Sequence, residues 1–190
     1  MRTTIYTLAA AALLMPAGLM AQQMAAPPAN MPKVGDMAPD FSLTAANAKG
    51  IDSTPLKLSS LKGQTVVIAF FPKQRSSGCT KQMETYRDEY DSLFHAGKGV
   101  RLLAVSSDPP ADLNSWAAEA HFQFTFLSDA AGEAGHEYGT WPAQGNYERR
   151  FVFVVAPNGK VTYVSAFNVI DPMAYAALGR AINDAMAMKS

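Results

Sequence analysis

The sequence predicts an α/β domain, a central mixed β-sheet flanked by helices, and three features predict it. An unbroken apolar run, Thr65-Val66-Val67-Ile68-Ala69-Phe70-Phe71, lies between Gly63 and Pro72. Such a run suits a strand buried on both faces, the central position of a sheet. Downstream of it the pattern alternates strand, helix, strand, helix, which calls for parallel pairing. The chain then closes with two strand-like runs joined by Pro157-Asn158-Gly159, whose glycine supplies the positive φ of a tight hairpin.

The elements follow in order. Cys79, Met83, Tyr86, Tyr90, Leu93 and Phe94 recur at helical spacing, with Ser76 and Ser77 as N-cap candidates and Gly97 as the stop, so Cys79 falls in a helix's first turn. Residues 100–105 form a second buried strand. Asp108-Pro109-Pro110 opens a helix whose Leu113, Trp116, Ala117 and Ala120 share one face. Residues 124–127 read as a short strand and 133–138 as a helix, 151–155 and 161–165 are the hairpin strands, and Asp171-Pro172 starts the last helix. A sheet with alternating helices, an antiparallel hairpin and a covering C-terminal helix is the thioredoxin-like arrangement.

Composition narrows the functional classes. The chain has 190 residues, 48% of them hydrophobic, enough for one globular domain with a sizeable core. Sixteen Lys+Arg balance 16 Asp+Glu, so no basic field is available to hold a nucleic-acid backbone, and no like-charge block points to an anionic membrane. A single cysteine excludes an internal disulfide, a Cys-x-x-Cys pair and a four-cysteine zinc site. At the N-terminus, Arg2, an apolar stretch, the Pro16-Ala17-Gly18 break and Ala21 read as a secretory signal over residues 1–21. Residues 22–33 read as a flexible lead, and 34–190 as the folded domain. Export to a periplasm or to the outside is the expectation.

One segment carries chemistry. Pro72-Lys73-Gln74-Arg75-Ser76-Ser77-Gly78-Cys79-Thr80 connects the central strand to its helix, where N–H groups without helical partners point outward. These donors and the helix dipole favour a thiolate at Cys79. Ser76 can turn its hydroxyl to the same pocket, and Pro72 shields it without an N–H. Gln82 and Glu84 are close enough in sequence to tune the charge, Glu84 also fitting a solvated helix face.

Pro72, Ser76 and Cys79 match Pro-x-x-x-Thr/Ser-x-x-Cys, and with them the domain resembles the peroxiredoxin family. The resemblance runs from Gly35-Asp36-Met37-Ala38-Pro39-Asp40-Phe41 through Ser106-Ser107-Asp108 and Leu127-Ser128-Asp129 to Arg150-Phe151-Val152-Phe153-Val154-Val155 and Asn158-Gly159-Lys160. Pro72-Lys73 with Gly78-Cys79-Thr80-Lys81-Gln82 is most similar to the bacterioferritin-comigratory, PrxQ-type subgroup. Here Ser76 stands for the usual Thr and Ser77 for Pro.

The resemblance implies a thiol-dependent peroxidase with an antioxidant role, with Cys79 as nucleophile, Ser76 as hydrogen-bond partner of the peroxide and Arg150 as the cation that supports the thiolate. The position where many members of the subgroup carry a resolving cysteine is Glu84, so the implied reductant is an external, thioredoxin-like thiol. No metal or organic cofactor is implied, and the chain is expected as a monomer or homodimer.

Strand alternation allows only one of Arg149 and Arg150 to face the pocket. Three other readings stand beside the peroxidase: a non-catalytic domain of the same fold, a thiol-disulfide oxidoreductase relative, and a copper site. The last would join Cys79 and Met83, four apart on one helical face, with His95, His121 or His136.

Overall fold

The computed structural model describes Pro28 and residues 30–188. The signal reading over residues 1–21 lies outside them, as does most of the lead. Met31, inside the segment read as a lead, is buried in the core.

The central strand is β4, Thr65–Phe70, and every residue in it is buried. It pairs in parallel with β5, Val100–Ser106, and antiparallel with β7, Phe151–Val155. β6, Thr125–Ser128, extends the sheet in parallel beyond β5, and β8, Val161–Ala166, lies antiparallel on β7. The expected mixed sheet and closing hairpin are thus present, with Gly159 at φ 86° in the turn.

Three strands were not legible. β1, Ser42–Asn47, pairs antiparallel with β6, with β2, Gly50–Ile51, and with β3, Leu56–Lys57. The main path through the sheet is β2-β1-β6-β5-β4-β7-β8. β1 reads Ser-Leu-Thr-Ala-Ala-Asn, poor in the β-branched and aromatic residues that mark strands, and its form is set by its neighbours.

Alternation along β4 builds two cores. Val67, Ala69 and the following Phe71 pack with helices α1 (Ser77–Asp88), α2 (Tyr90–Leu93), α3 (Pro110–Glu119) and α5 (Pro172–Met186). Val66, Ile68 and Phe70 pack with β1, the N-terminal segment and α4, Glu133–Glu137. Phe153 meets Phe70 at 5.9 Å and Tyr138 at 5.0 Å between ring centroids, both edge to face. Such pairs contribute about 0.5–1.5 kcal/mol beyond their burial.

The helix expected from Cys79 to Phe94 is broken. α1 stops at Asp88, α2 makes one turn, and a 3-10 turn over His95–Gly97 follows, with His95 and Ala96 at φ 53° and 52°. The break swings Phe94 inward against Tyr86, 5.1 Å away, so tertiary packing overrides the simple period. Asp171 caps α5 as expected, accepting from Met173 N at 2.9 Å. Asp108 does not cap α3; that position belongs to Pro109. No helix among the described residues is long and apolar enough to cross a membrane.

Candidate active site

The C-terminal end of β4 delivers the chain into the loop over residues 71–76, and α1 begins at Ser77. Phe71 N still donates to Val105 O at 2.9 Å, so the loop leaves from a fixed point on the sheet. Pro72 is half-buried. The Gln74 amide donates to the Asp108 carboxylate at 2.7 Å, and Ser106 Oγ donates to the same oxygen at 3.0 Å. Ser128 Oγ in turn donates to the Asp108 carbonyl at 2.8 Å. Asp108, read from sequence as part of a helix start, is therefore the buried clasp of the loop that leads into α1. The signal that could have found it is its place at the C-terminal end of β5, the edge where parallel sheets build sites.

Arg75 follows with φ 58°, a left-handed conformation uncommon for a non-glycine residue. Its guanidinium is held on α3 by Glu119 at 2.8 Å and Ser115 Oγ at 3.2 Å. Ser76 is the N-cap residue of α1, but its hydroxyl donates back to Lys73 O at 3.0 Å rather than capping a helix amide. The helix takes its first bond from Thr80 N to Ser76 O at 2.8 Å. The amides of Ser77, Gly78 and Cys79 stand ahead of it in the first turn.

Cys79 is completely buried on α1, next to Met83 and Tyr86 in the core. Arg150, the residue before β7, donates from Nη2 to Cys79 Sγ at 3.1 Å. Its Nη1 donates to Gln82 Oε1, and Gln82 Nε2 donates to Tyr86 Oη at 2.9 Å. Arg150 lies over Gly78, where an added Cβ would meet Nη2 at 3.4 Å. Strand alternation sends Arg149 elsewhere: its Nη2 donates to Gly139 O and its guanidinium lies 5.6 Å from the Phe151 ring centroid. Of the two arginines, Arg150 is the one that reaches Cys79.

The arginine is charged and its other acceptor, an amide, is neutral. Among the described residues the ion pairs are Arg75 with Glu119 and Arg87 with Asp88, so no carboxylate competes for Arg150. Its charge is directed at the sulfur. A groove of about 590 Å³ lies alongside, between α1 and the start of α5, lined by Lys81, Thr85, Val169, Ile170 and Tyr175.

Two histidines of the copper reading are engaged by other side chains, and His121 is exposed. Met83 is buried, His95 pairs with Asn183 Oδ1 at 2.8 Å, and the His136 ring lies 5.7 Å from Trp141. Among the described residues no three His, Cys, Asp or Glu side chains gather as a metal group.

A buried cysteine in the first turn of the helix after a central parallel strand, with a guanidinium on its sulfur, defines a thiol-redox class of thioredoxin-like fold. The AhpC/TSA family model matches residues 34–164. Peroxiredoxin Bcp of Escherichia coli (strain K12) is 33% identical over 138 residues, 70% of this chain and 84% of that protein. Chloroplastic peroxiredoxin Q of Oryza sativa subsp. japonica is 33% identical over 132 residues, 68% of this chain and 57% of that protein. Among solved structures, peroxidoxin BcpB of Mycobacterium tuberculosis aligns with a TM-score of 0.66 at 28% identity, covering 84% of this chain and 99% of that one. AhpC of Enterococcus faecalis, at 18% identity and a TM-score of 0.70 over 81% of this chain and 92% of that one, shares the fold. The chain belongs to the AhpC/TSA family, the peroxiredoxins, which are thiol-dependent peroxidases of the oxidoreductase class.

Proposed function

We propose that this protein is an exported peroxidase that reduces hydrogen peroxide and small organic hydroperoxides at Cys79, using an external thioredoxin-like thiol as reductant. The observation that carries the reading is the 3.1 Å approach of Arg150 Nη2 to the Sγ of the fully buried Cys79. The guanidinium sets a positive charge against the sulfur, where it can stabilise negative charge as the reaction with peroxide proceeds.

The thiolate attacks the nearer peroxide oxygen. A sulfur–oxygen bond forms, the oxygen–oxygen bond breaks, and the electron pair leaves on the far oxygen, which takes a proton and departs as water or an alcohol. Arg150 and the first-turn amides of α1 stabilise the negative charge that builds on the oxygens. Ser76, its proton committed to Lys73 O, accepts the peroxide O–H through its lone pairs. Cys79 is left as a sulfenic acid. With no second cysteine in the sequence, the first external thiol condenses with it to a mixed disulfide and water, and a second thiol releases reduced Cys79.

The test is stopped-flow measurement of Cys79 oxidation by hydrogen peroxide in residues 22–190. Cys79→Ser abolishes turnover, and Arg150→Ala lowers the second-order rate by roughly 10²–10³-fold, the effect of deleting a preorganised donor to a developing oxyanion. Peroxide consumption unchanged in Cys79→Ser would overturn the reading. Export is checked by N-terminal sequencing of the secreted or periplasmic chain, which should begin at Gln22.

A further inference from the structure

Gln82 lies one turn after Cys79 on α1 and has no exposed surface. Its orientation is dictated by satisfiability. A guanidinium carries donors only, so the amide must turn Oε1 to Arg150 and its NH2 the other way. That NH2 finds Tyr86 Oη at 2.9 Å, four residues further along the same face of the helix.

Tyr86 is itself fully buried, its ring among those of Phe94, Phe124, Phe167 and Tyr175 at centroid distances of 5.1, 6.5, 6.1 and 6.1 Å. Burial pushes its phenol far above the ordinary range, against the opposing pull of Gln82 and Arg150, so the group stays a neutral hydroxyl.

We propose that the Tyr86 hydroxyl is a positioning group for the peroxide reaction: it tethers the Gln82 amide and, through it, holds Arg150 on Cys79 Sγ. The proposal rests on the reading of Arg150 as the cation that supports Cys79. Arg150 is half-buried, and its direction is set by two acceptors, the sulfur and Gln82 Oε1. Without the hydroxyl, the Gln82 NH2 faces a wall of aromatic rings and loses its partner. Leaving a buried donor unpaired is costly, and the side chain relieves it by swinging away from the wall. Oε1 then leaves Arg150, and the guanidinium is free to drift off the sulfur toward water.

Tyr86→Phe keeps the ring and removes only the tether. Stopped-flow oxidation of Cys79 by hydrogen peroxide should slow by about tenfold in this variant, the effect of one lost hydrogen bond. A merely structural role is separated by repeating the change in a Gln82→Glu background. A carboxylate has no N–H to satisfy and presents an oxygen to Arg150 in either orientation. There Tyr86→Phe should alter the rate by no more than about twofold relative to Gln82→Glu alone, the range of independent sites. A Tyr86→Phe protein as fast as the parent overturns the proposal, and so does an equal slowing in both backgrounds. Arg150→Ala, measured alongside, keeps the two levels apart: an unchanged rate there removes the reading of Arg150 as the supporting cation, whatever the tyrosine variant does.

Discussion

Glu148 is a buried carboxyl. It has no exposed surface, Thr140 Oγ1 donates to its Oε2 at 2.5 Å, and the α4 backbone at Gly135 packs against its head. Burial pushes its pKa up to about 8, the Thr140 hydroxyl pulls it back in part, and the Asp129 carboxyl beside it pushes it up again, with Arg149 opposing. Asp129 accepts from Gly135 N at 2.7 Å through one oxygen and has no other partner for the second. A proton kept on Glu148 supplies that partner. The consequence for stability has a definite sign. Below about 4.5 both folded and unfolded chains hold this proton. Between there and about 8 the unfolded chain releases it and the folded chain retains it, so stability contributed by the site falls as pH rises through that window. The slope approaches about 1.4 kcal/mol per pH unit for one proton. Glu148→Gln keeps a donor to Asp129 and an acceptor for Thr140 and does not titrate. Urea denaturation across the window should show the variant gaining on the parent as pH rises. Parallel pH profiles for the two proteins would show that Glu148 ionises normally.

At the scale of elements, the loop from β4 to α1 is held by the end of β5 rather than by its own turn chemistry. Its one internal side-chain bond is Ser76 Oγ to Lys73 O, while the Gln74 amide is taken by buried Asp108. A hydrogen bond to a charged, buried acceptor contributes about 1.5–3 kcal/mol. Asp108→Ala should therefore free the Gln74 amide for hydrogen exchange and slow peroxide oxidation of Cys79 by about tenfold or more, with the sheet intact by circular dichroism. A protected Gln74 amide in the variant would remove Asp108 from that role. The same elements show what was legible beforehand. β4 and β7 announce themselves by unbroken apolar runs and the hairpin to β8 by its turn glycine, whereas Cys79 and Arg150 were singled out through the resemblance to the peroxiredoxins. β1 was hidden because Leu-Thr-Ala-Ala has no strand signature of its own and is made a strand by pairing with β6. Asp108 was hidden because a strand-end carboxylate before two prolines looks like a helix cap. Tyr86 read simply as core: helical spacing marks a buried face and says nothing about where a hydroxyl finds its partner.

For the whole molecule, the placement of Cys79 sets two demands against each other. The sulfur has no exposed surface and sits in the first turn of a helix that shares an apolar core with the sheet and α5, a closed site that suits a small peroxide. A thiol donor is larger and must approach the oxidised sulfur in line with the bond it breaks, so the first turn of α1 has to open before resolution. The bonds that must yield are local: Thr80 N to Ser76 O, Gln74 N to Asp108 and Arg150 to Cys79. Such local openings cost less than global unfolding. Native protein should accordingly react with a bulky aromatic disulfide about 10²–10³-fold more slowly than its unfolded form, an opening cost of a few kcal/mol. Urea below the unfolding transition should speed that reaction while slowing the reaction with hydrogen peroxide, because the open state exposes the sulfur and takes it away from Arg150 at once. If both reactions quicken together, the closed pocket contributes nothing to peroxide chemistry and Cys79 reacts only from the open state.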